Sequence, residues 1–328
     1  MEYITGGGMR KETIPQSLAC EGEIMLGAVL RDLLDTPIGV ELVVMRDSRL
    51  ASPLFVDRVH TVWVDEPNSF QSIWKAWICQ CDAIWPIAPE NNGILEQLCL
   101  DVENVGKWLL TSPSVAVRLA ASKLATVKRL AKFGLPVVPS LALDGSMDLT
   151  GKAWVVKPDD GLGCEDIHII RDQGETLELN PSQKWVVQPL LKGDALSLSV
   201  LLAAGKARLL TCNRQHIVEK GNGFRLHGVT VNALTDVDGR WQRLAEDIAR
   251  AMPELWGYVG IDLMLTESGP IILEVNPRLT TSYAGLRLAL GGNPAAWVIN
   301  LLLTQELPSL STSLPQAIEI DLGRHDVD

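Results

Sequence analysis

The sequence predicts a mixed chain, with a parallel α/β domain first and two α+β lobes after it. Three observations predict this. Up to about residue 110, strand-like apolar runs alternate with amphipathic helical stripes, as in a parallel sheet with helices on its faces. From residue 153 onwards, short apolar runs are separated by Gly and Asp turns, as in an antiparallel sheet. Helical periodicity then returns at 240–252 and gives way to two strands joined by a short turn. The division this suggests is 1–112, 113–187 and 188–328.

The elements follow in order. "YIT" reads as a first strand running into Gly6-Gly7-Gly8. Apolar residues at 24, 26, 29, 30, 33 and 34 form a helical stripe. "VELVVM" (40–45) and "AIWPIA" (83–88) are strand-like, and "ENNGILEQLCLDVENVG" is a second amphipathic helix. One helical pattern runs from Ser114 to Phe133 and stops at Gly134, with Pro136 just beyond. "AWVVKP", "DIHIIR", "KWVVQPL", "ALSLSVLLAAG" and "KARLLTCNR" are the strands of the antiparallel sheet. The helix "RWQRLAEDIARAM" precedes "YVGIDLMLT" and "PIILEVN", a hairpin turning at Ser268-Gly269. Helices over 282–290 and 294–303 and a polar tail complete the pattern.

Bulk properties narrow the function. With 328 residues, 47% hydrophobic, and a mean hydropathy of +0.14, the chain can fill two or three packed lobes. A net charge of −11 and a pI near 5.0 argue against a nucleic-acid surface. Six scattered cysteines without C-x-x-C, and five histidines without H-E-x-x-H, indicate neither a disulfide framework nor a zinc site. The start "MEYITGGGMRKET" lacks a signal-peptide pattern. The most apolar long window, 285–303, is broken by Arg287, Gly291-Gly292-Asn293-Pro294 and Asn300. A soluble cytoplasmic protein is expected, with no nucleic-acid or membrane partner; a homodimer is compatible with all of this.

The chemistry concentrates where charged residues interrupt apolar strands. Glu274 and Asn276 alternate onto one face near the end of "IILEVN", and Asp262 is a lone acid in the neighbouring strand. Two carboxylates and an amide brought together there are costly unless a cation joins them, and hard oxygen donors suit Mg²⁺ held together with nucleotide phosphates. Arg278 follows directly, placed to meet a phosphate or acyl-phosphate oxygen. Lys157 ends an apolar strand before a turn containing Gly161 and Gly163, whose backbone can approach phosphates. No Walker or Rossmann glycine pattern is present. Lys123 sits in the helix "AASKLATVKRLAKFG" and, standing alone, reads as a solvated lysine. At "WVVQPLLKGDALSLSV" the break at Pro189 frees backbone groups of Leu190 and Leu191 that could pair with an adenine edge, within reach of Asp194 for ribose hydroxyls.

Taken in order, Lys123, Lys157 with its glycine turn, Gln188-Pro-Leu-Leu-x-Gly-Asp, Asp262 and Glu274-x-Asn276 resemble the ATP-grasp superfamily along nearly the whole chain. The resemblance implies an N-terminal pre-ATP-grasp domain and two lobes enclosing ATP. It also implies joining of a carboxylate to an amine through an acyl phosphate, with no covalent enzyme nucleophile. On that basis Lys123 and Lys157 bind phosphates, Gly161 and Gly163 cover them, and Gln188, Leu190 and Leu191 line the adenine pocket. Asp262, Glu274 and Asn276 hold Mg²⁺, with Mn²⁺ as a substitute, and Arg278 contacts phosphate or substrate. Two positions depart from the pattern: Ala195 and Asp194 replace a more usual Glu after the hinge glycine, and Gln188 stands where Glu is frequent. "EYITGGG", "CEGEIMLGAVLRDL", "IAPENNGILEQL", "NRQHI" and "NPRLTTSYAGL" further resemble the tyramine–glutamate ligase branch, which serves methanofuran and methylofuran biosynthesis. Gly6–Gly8, Glu21, Glu90, Arg214, Gln215, Thr280, Thr281, Ser282 and Tyr283 are then candidates for the amino-acid pocket, Arg214 also as a catalytic group.

Overall fold

The computed structural model describes the chain except for residues 52–54, 56, 67–68, 144–152, 162–165, 172–178, 311–315 and 324–328. Its first element is a turn and not the expected strand. Glu2 makes a single parallel bridge to Ile87, and Ile4–Gly8 then coils tightly. Packing explains the change: Gly7 lies so close to Val64 that a Cβ there would sit 2.7 Å from the valine side chain. Helix α1 (Gln16–Leu34) carries the predicted apolar stripe into the core. Strands β1 (Leu42–Asp47) and β2 (Val59–Val64) pair in parallel, and α2 (Ser69–Ile78) follows. β3 (Ala83–Ile84) pairs in parallel with β4 (Trp108–Leu109) across α3 (Ile94–Asn104).

The long helix expected over 114–133 is two helices, α4 (Ser114–Ala121) and α5 (Lys123–Lys132). Ser122 breaks it by adopting an extended conformation and capping α5, its Oγ accepting from the Ala125 amide. The single antiparallel sheet expected next is, among the described residues, two sheets. The smaller contains β5 (Leu141–Ala142), β6 (Trp154–Pro158), β7 (His168–Ile170) and β8 (Trp185–Pro189), in the order β5-β8-β6-β7.

The larger sheet contains β9 (Asp194–Ala203), β10 (Lys206–Lys220), β11 (Gly223–Leu234), β12 (Gly257–Thr266), β13 (Gly269–Asn276) and β14 (Ile318–Asp321). Its order is β13-β12-β9-β10-β11-β14. β11 was not anticipated from the sequence. The change of sheet falls between Pro189 and Asp194, just past the division suggested at 187/188.

Alternation along β9 decides what each face does. Leu196, Leu198, Val200 and Leu202 pack against Trp241, Leu244 and Ile248 of α6 (Arg240–Ala251). The opposite face carries Ser197 and Ser199 and then Leu201, which joins the core beneath α1, α7 (Tyr283–Leu290) and α8 (Pro294–Thr304). Among the described residues no single helix is long and apolar enough to cross a membrane, and α7 and α8, which together pass that test, meet at 95°.

Candidate active site

The β12–β13 hairpin delivers the oxygen donors. Asp262 and Glu274 are direct cross-strand partners, and Asn276 lies two residues on, beside Asp262. Asn276 donates from Nδ2 to Asp262 Oδ2 at 3.1 Å, and Gln215 of β10 reaches across β9 to donate to Oδ1 at 3.1 Å. The three predicted metal ligands therefore stand together, and Gln215 supports one of them. Gly260, opposite Asn276, is required by the next turn, since a Cβ there would lie 2.5 Å from Thr280 Cγ2.

Electrostatics separate the two acids. Burial, and then the facing charge of Glu274, push the Asp262 carboxyl up to about 8. Burial opposes the charge of Glu274 as well, but Lys123 and Lys157 outweigh it and hold that carboxyl below its usual range. The pair keeps a proton at neutral pH, which marks a place suited to added positive charge. Two buried carboxylates and an amide oxygen are a hard-cation donor set. Among the described residues no group of three or more His, Cys, Asp or Glu side chains is placed to hold a metal ion, so the set here is two acids and an amide.

Lys123 is not the solvated lysine that its helix suggests. It is the first residue of α5 and only 5% exposed, with Nζ 3.3 Å from Glu274 Oε2 and 2.5 Å from the Gly161 carbonyl. Asp159 makes this placement. Its carboxylate accepts from Ser122 Oγ (2.6 Å) and the Leu124 amide (2.8 Å), and its carbonyl accepts from the Lys123 amide (2.9 Å). A carboxylate at a helix N-terminus is favourable where a lysine is not, so Asp159 offsets the placement of Lys123. The sequence signal was present in "KPDDG", next to Lys157, but its partner α5 is distant in the chain. Lys157, also buried, ends β6 on the same side of the site.

A cleft of about 1150 Å³ opens over these groups. It exceeds the roughly 300–1,000 Å³ typical of one small ligand and suits two or more. Lys157, Gln188, Leu190, Leu191, Asp194, Arg214, Asp262, Glu274, Asn276 and Arg278 line it, whereas Lys123 and Gly161 do not. Some expected roles change. The Leu190 amide is already bonded to the Ala153 carbonyl (2.9 Å), because the chain after Pro189 continues the β6 ladder by one residue, so it does not offer a donor to a base. The Gly161 amide bonds to the Pro158 carbonyl (3.2 Å), so this amide is not offered to a phosphate; Gly163 lies outside the described residues. Asp194 pairs with Arg214 at 3.3 Å, both about half exposed at the cleft. Gln188 donates to Ser140 Oγ at 2.9 Å.

At the other end of the cleft, Arg278 meets Glu90 of the N-terminal domain. Nη2 donates to Glu90 Oε2 and Nε contacts Oε1, both at 3.0 Å. Burial works against the guanidinium charge, and Glu90 more than restores it. Glu90 thus stands behind Arg278 and does not line the cleft. Glu21, Gln215, Thr280, Thr281 and Ser282 do line it, with Thr281 Oγ1 donating to Glu21 Oε2 at 3.3 Å. Gly6–Gly8 and Tyr283 do not. The glycines serve packing, and Tyr283 is a core ring edge-on to Tyr258 at 5.7 Å and Trp85 at 6.1 Å.

Comparison with known proteins accords with this arrangement. Residues 120–282 match the model of an ATP-grasp domain, and residues 40–117 match a pre-ATP-grasp domain. The chain is 23% identical over 288 residues to the tyramine–L-glutamate ligase of Methanocaldococcus jannaschii, covering 87% of this chain and 83% of that one. An ATP-grasp superfamily protein from Archaeoglobus fulgidus superposes with a TM-score of 0.64 at 22% identity, over 91% of this chain and 86% of the other. The L-amino acid ligase of Bacillus licheniformis does so with a TM-score of 0.65 at 16% identity, over 86% and 71%. The chain belongs to the ATP-grasp superfamily, with a pre-ATP-grasp domain in front, and to its ATP-dependent carboxylate–amine ligases.

Proposed function

We propose that this enzyme joins the γ-carboxylate of glutamate to tyramine or a related aromatic amine, using ATP and Mg²⁺, in a methanofuran-type cofactor pathway of the cytoplasm. The observation that carries the reading is the convergence of Lys123, Lys157 and Arg278 on the Asp262/Glu274 pair in a cleft with room for more than one ligand. Similarity to a tyramine–L-glutamate ligase along most of both chains supports the choice of substrates.

The physical problem is the approach of one anion to another. A substrate carboxylate must reach the terminal phosphate of ATP, so cationic groups have to surround both. Lys123 and Lys157 bind the phosphates, and Arg278 meets the substrate carboxylate or the transferring phosphoryl group. Asp262, Glu274 and Asn276 would hold Mg²⁺ (Mn²⁺ substituting), which when bound neutralises phosphate charge as the bond to the leaving diphosphate weakens. The carboxylate oxygen bonds to phosphorus, ADP leaves, and the amine attacks the acyl carbon, releasing phosphate and a proton as the amide forms. Gln188, Leu190, Leu191 and Asp194 line the nucleotide end, and Arg214 reaches it through Asp194. The division 1–112, 113–187 and 188–328 assigns the phosphate lysines to the middle lobe and the metal ligands to the last. The enzyme acts alone or as a homodimer, on small molecules only.

The test is incubation of purified protein with ATP, Mg²⁺, glutamate and a panel of amines, with ADP release and product mass as readouts. Glutamyl-tyramine and ADP in equal amounts are expected. ADP release that responds to a different carboxylate and not to glutamate would replace the substrate assignment and leave the ligase chemistry standing.

A further inference from the structure

The segment "PENNG" is not absorbed by the chemistry above, yet it touches both sides of the cleft. Glu90 and Asn91 belong to the loop between β3 and α3, far from either lobe in sequence. Glu90 is 8% exposed and engages Arg278 side-on by the two 3.0 Å contacts described. The remaining edge of the guanidinium is set by Nη1, which donates to the Leu279 carbonyl at 3.0 Å. Of the five guanidinium N–H groups, two donate hydrogen bonds; Nε lies 3.0 Å from Glu90 Oε1 without hydrogen-bond geometry, and one N–H on each Nη has no described partner, next to the cleft that Arg278 lines. Two residues on, the Asn92 amide donates to Asp160 Oδ2 at 2.9 Å.

Asp160 stands at the root of the glycine turn, directly before Gly161, whose carbonyl receives Lys123 Nζ. Asn92 adopts a left-handed conformation (φ +54°) and Gly93 another (φ +67°). That shape, costly except for Gly and Asn, is what lets a three-residue stretch face two lobes at once. The buried Asn91 Oδ1 between the two contacts has no hydrogen-bond partner among the described residues.

We propose that Glu90-Asn91-Asn92 is a positioning loop for the ligation reaction, in which Glu90 orients Arg278 toward the cleft and the Asn92 amide holds Asp160 at the root of the glycine turn. The contacts close a ring: Arg278, Glu90, Asn92, Asp160, Gly161, Lys123, Glu274 and back along β13. One loop of the N-terminal domain thereby sets the spacing between the phosphate lysine and the arginine that meets the acyl group. The inference rests on the ligase reading for its kinetic consequences, but not for its structural one.

Two measurements on the full chain test it. In kinetics with ATP, glutamate and tyramine, Glu90→Gln should lower kcat about 100-fold, the cost of a misplaced group, while the KM for ATP changes less than about threefold. In an Arg278→Ala background the same change should add less than about twofold, since Glu90 acts through Arg278. In hydrogen exchange without substrates, the Asn92 amide should exchange faster in both Glu90→Gln and Asp160→Ala than in the parent protein. Asp160→Ala, a change near the surface, keeps the test open if the buried change at Glu90 prevents folding. A full loss from Glu90→Gln that persists without Arg278, or an Asn92 amide unaltered in these variants, overturns the proposal. A parent protein inactive on glutamate with every amine counts against the ligase substrates, and the exchange data still judge the loop.

Discussion

The two sheets that meet at the cleft are built very differently. In the smaller sheet, Val156, Ile170 and Val187 form one small buried cluster, with Leu143, Trp154, Leu179 and Trp185 packed partly around them, and Val155, Ile169 and Val186 are buried besides. In the larger one, β9 alone contributes Leu196, Leu198, Val200 and Leu202 to a core shared with α6, and its other face joins a second core under α1, α7 and α8. The acidic residues stand on the thick sheet; Lys157 and Gln188 stand on the thin one. On the proposed reading the thick sheet would hold a divalent cation, which needs donors fixed to a fraction of an ångström, and the thin one would cover the nucleotide, which gains from low local stability. The difference in core size matches that division of labour.

The largest expected effect lies on the thick sheet. Glu274→Gln keeps the shape of the side chain but removes the charge that Lys123 and Lys157 face. Turnover should fall by about 10³-fold, the upper range for one preorganised electrostatic group, with the far-ultraviolet circular dichroism spectrum unchanged. A variant within tenfold of the parent would separate the rigid sheet from the chemistry and break the comparison.

Core truncation should expose the asymmetry next. Leu198→Ala removes a side chain that is 0% exposed in the thick sheet, and should cost about 2–5 kcal/mol of global stability by chemical denaturation. Val187→Ala in the thin sheet should cost less globally and show itself as faster amide exchange confined to β6 and β8. Equal global losses would mean that the two sheets unfold as one unit.

Much of this was legible in the sequence, and what was missed has common physical causes. The β12–β13 hairpin could be read because its partners are adjacent in the chain: one short turn brings Asp262 opposite Glu274. Lys157 and Gln188 interrupt apolar strands and Arg278 follows one, and such positions show in a one-dimensional pattern. The contacts that Asp159, Gln215 and Glu90 make do not show, because each acts on a residue far away in sequence, and periodicity carries no information about partners. The division of one sheet into two was missed for the same reason, since alternating strands look alike whichever sheet they join. The "YIT" strand failed locally: Gly7 and Gly8 permit a tight coil that three β-capable residues could not resist.

The acid pair predicts a pH dependence with a definite sign. Asp262 is raised to about 8 in the folded chain, above its ordinary carboxylate value, so the folded state binds a proton that the unfolded state has released. Its contribution is complete at low pH and is lost as pH rises toward 8, by at most about 1.4 kcal/mol per pH unit. Without divalent cations, the melting temperature should therefore fall between about pH 5 and about pH 8, other groups being held constant by comparison with Asp262→Asn. Mg²⁺ with a non-hydrolysable ATP analogue should raise the melting temperature more at the alkaline end, where no proton competes. A stabilisation independent of pH would put the cation elsewhere than on the thick sheet.

The smallest effect concerns Tyr283, which the sequence offered as a pocket residue and the fold assigns to the core. Its ring is 1% exposed between Tyr258 and Trp85, and burial pushes its hydroxyl well above the ordinary value. The hydroxyl lies against Asp32 without a well-formed hydrogen bond. Removing a buried polar atom that has no good partner is close to neutral, so Tyr283→Phe should shift stability by less than about 1 kcal/mol and leave kcat and every KM unaltered. A changed KM for the amine would bring α7 into the substrate site and extend the thick sheet's role from holding charge to selecting the amine. With the parent's kinetics retained, selection is left to residues that face the cleft, Glu21 and Thr281 foremost among them.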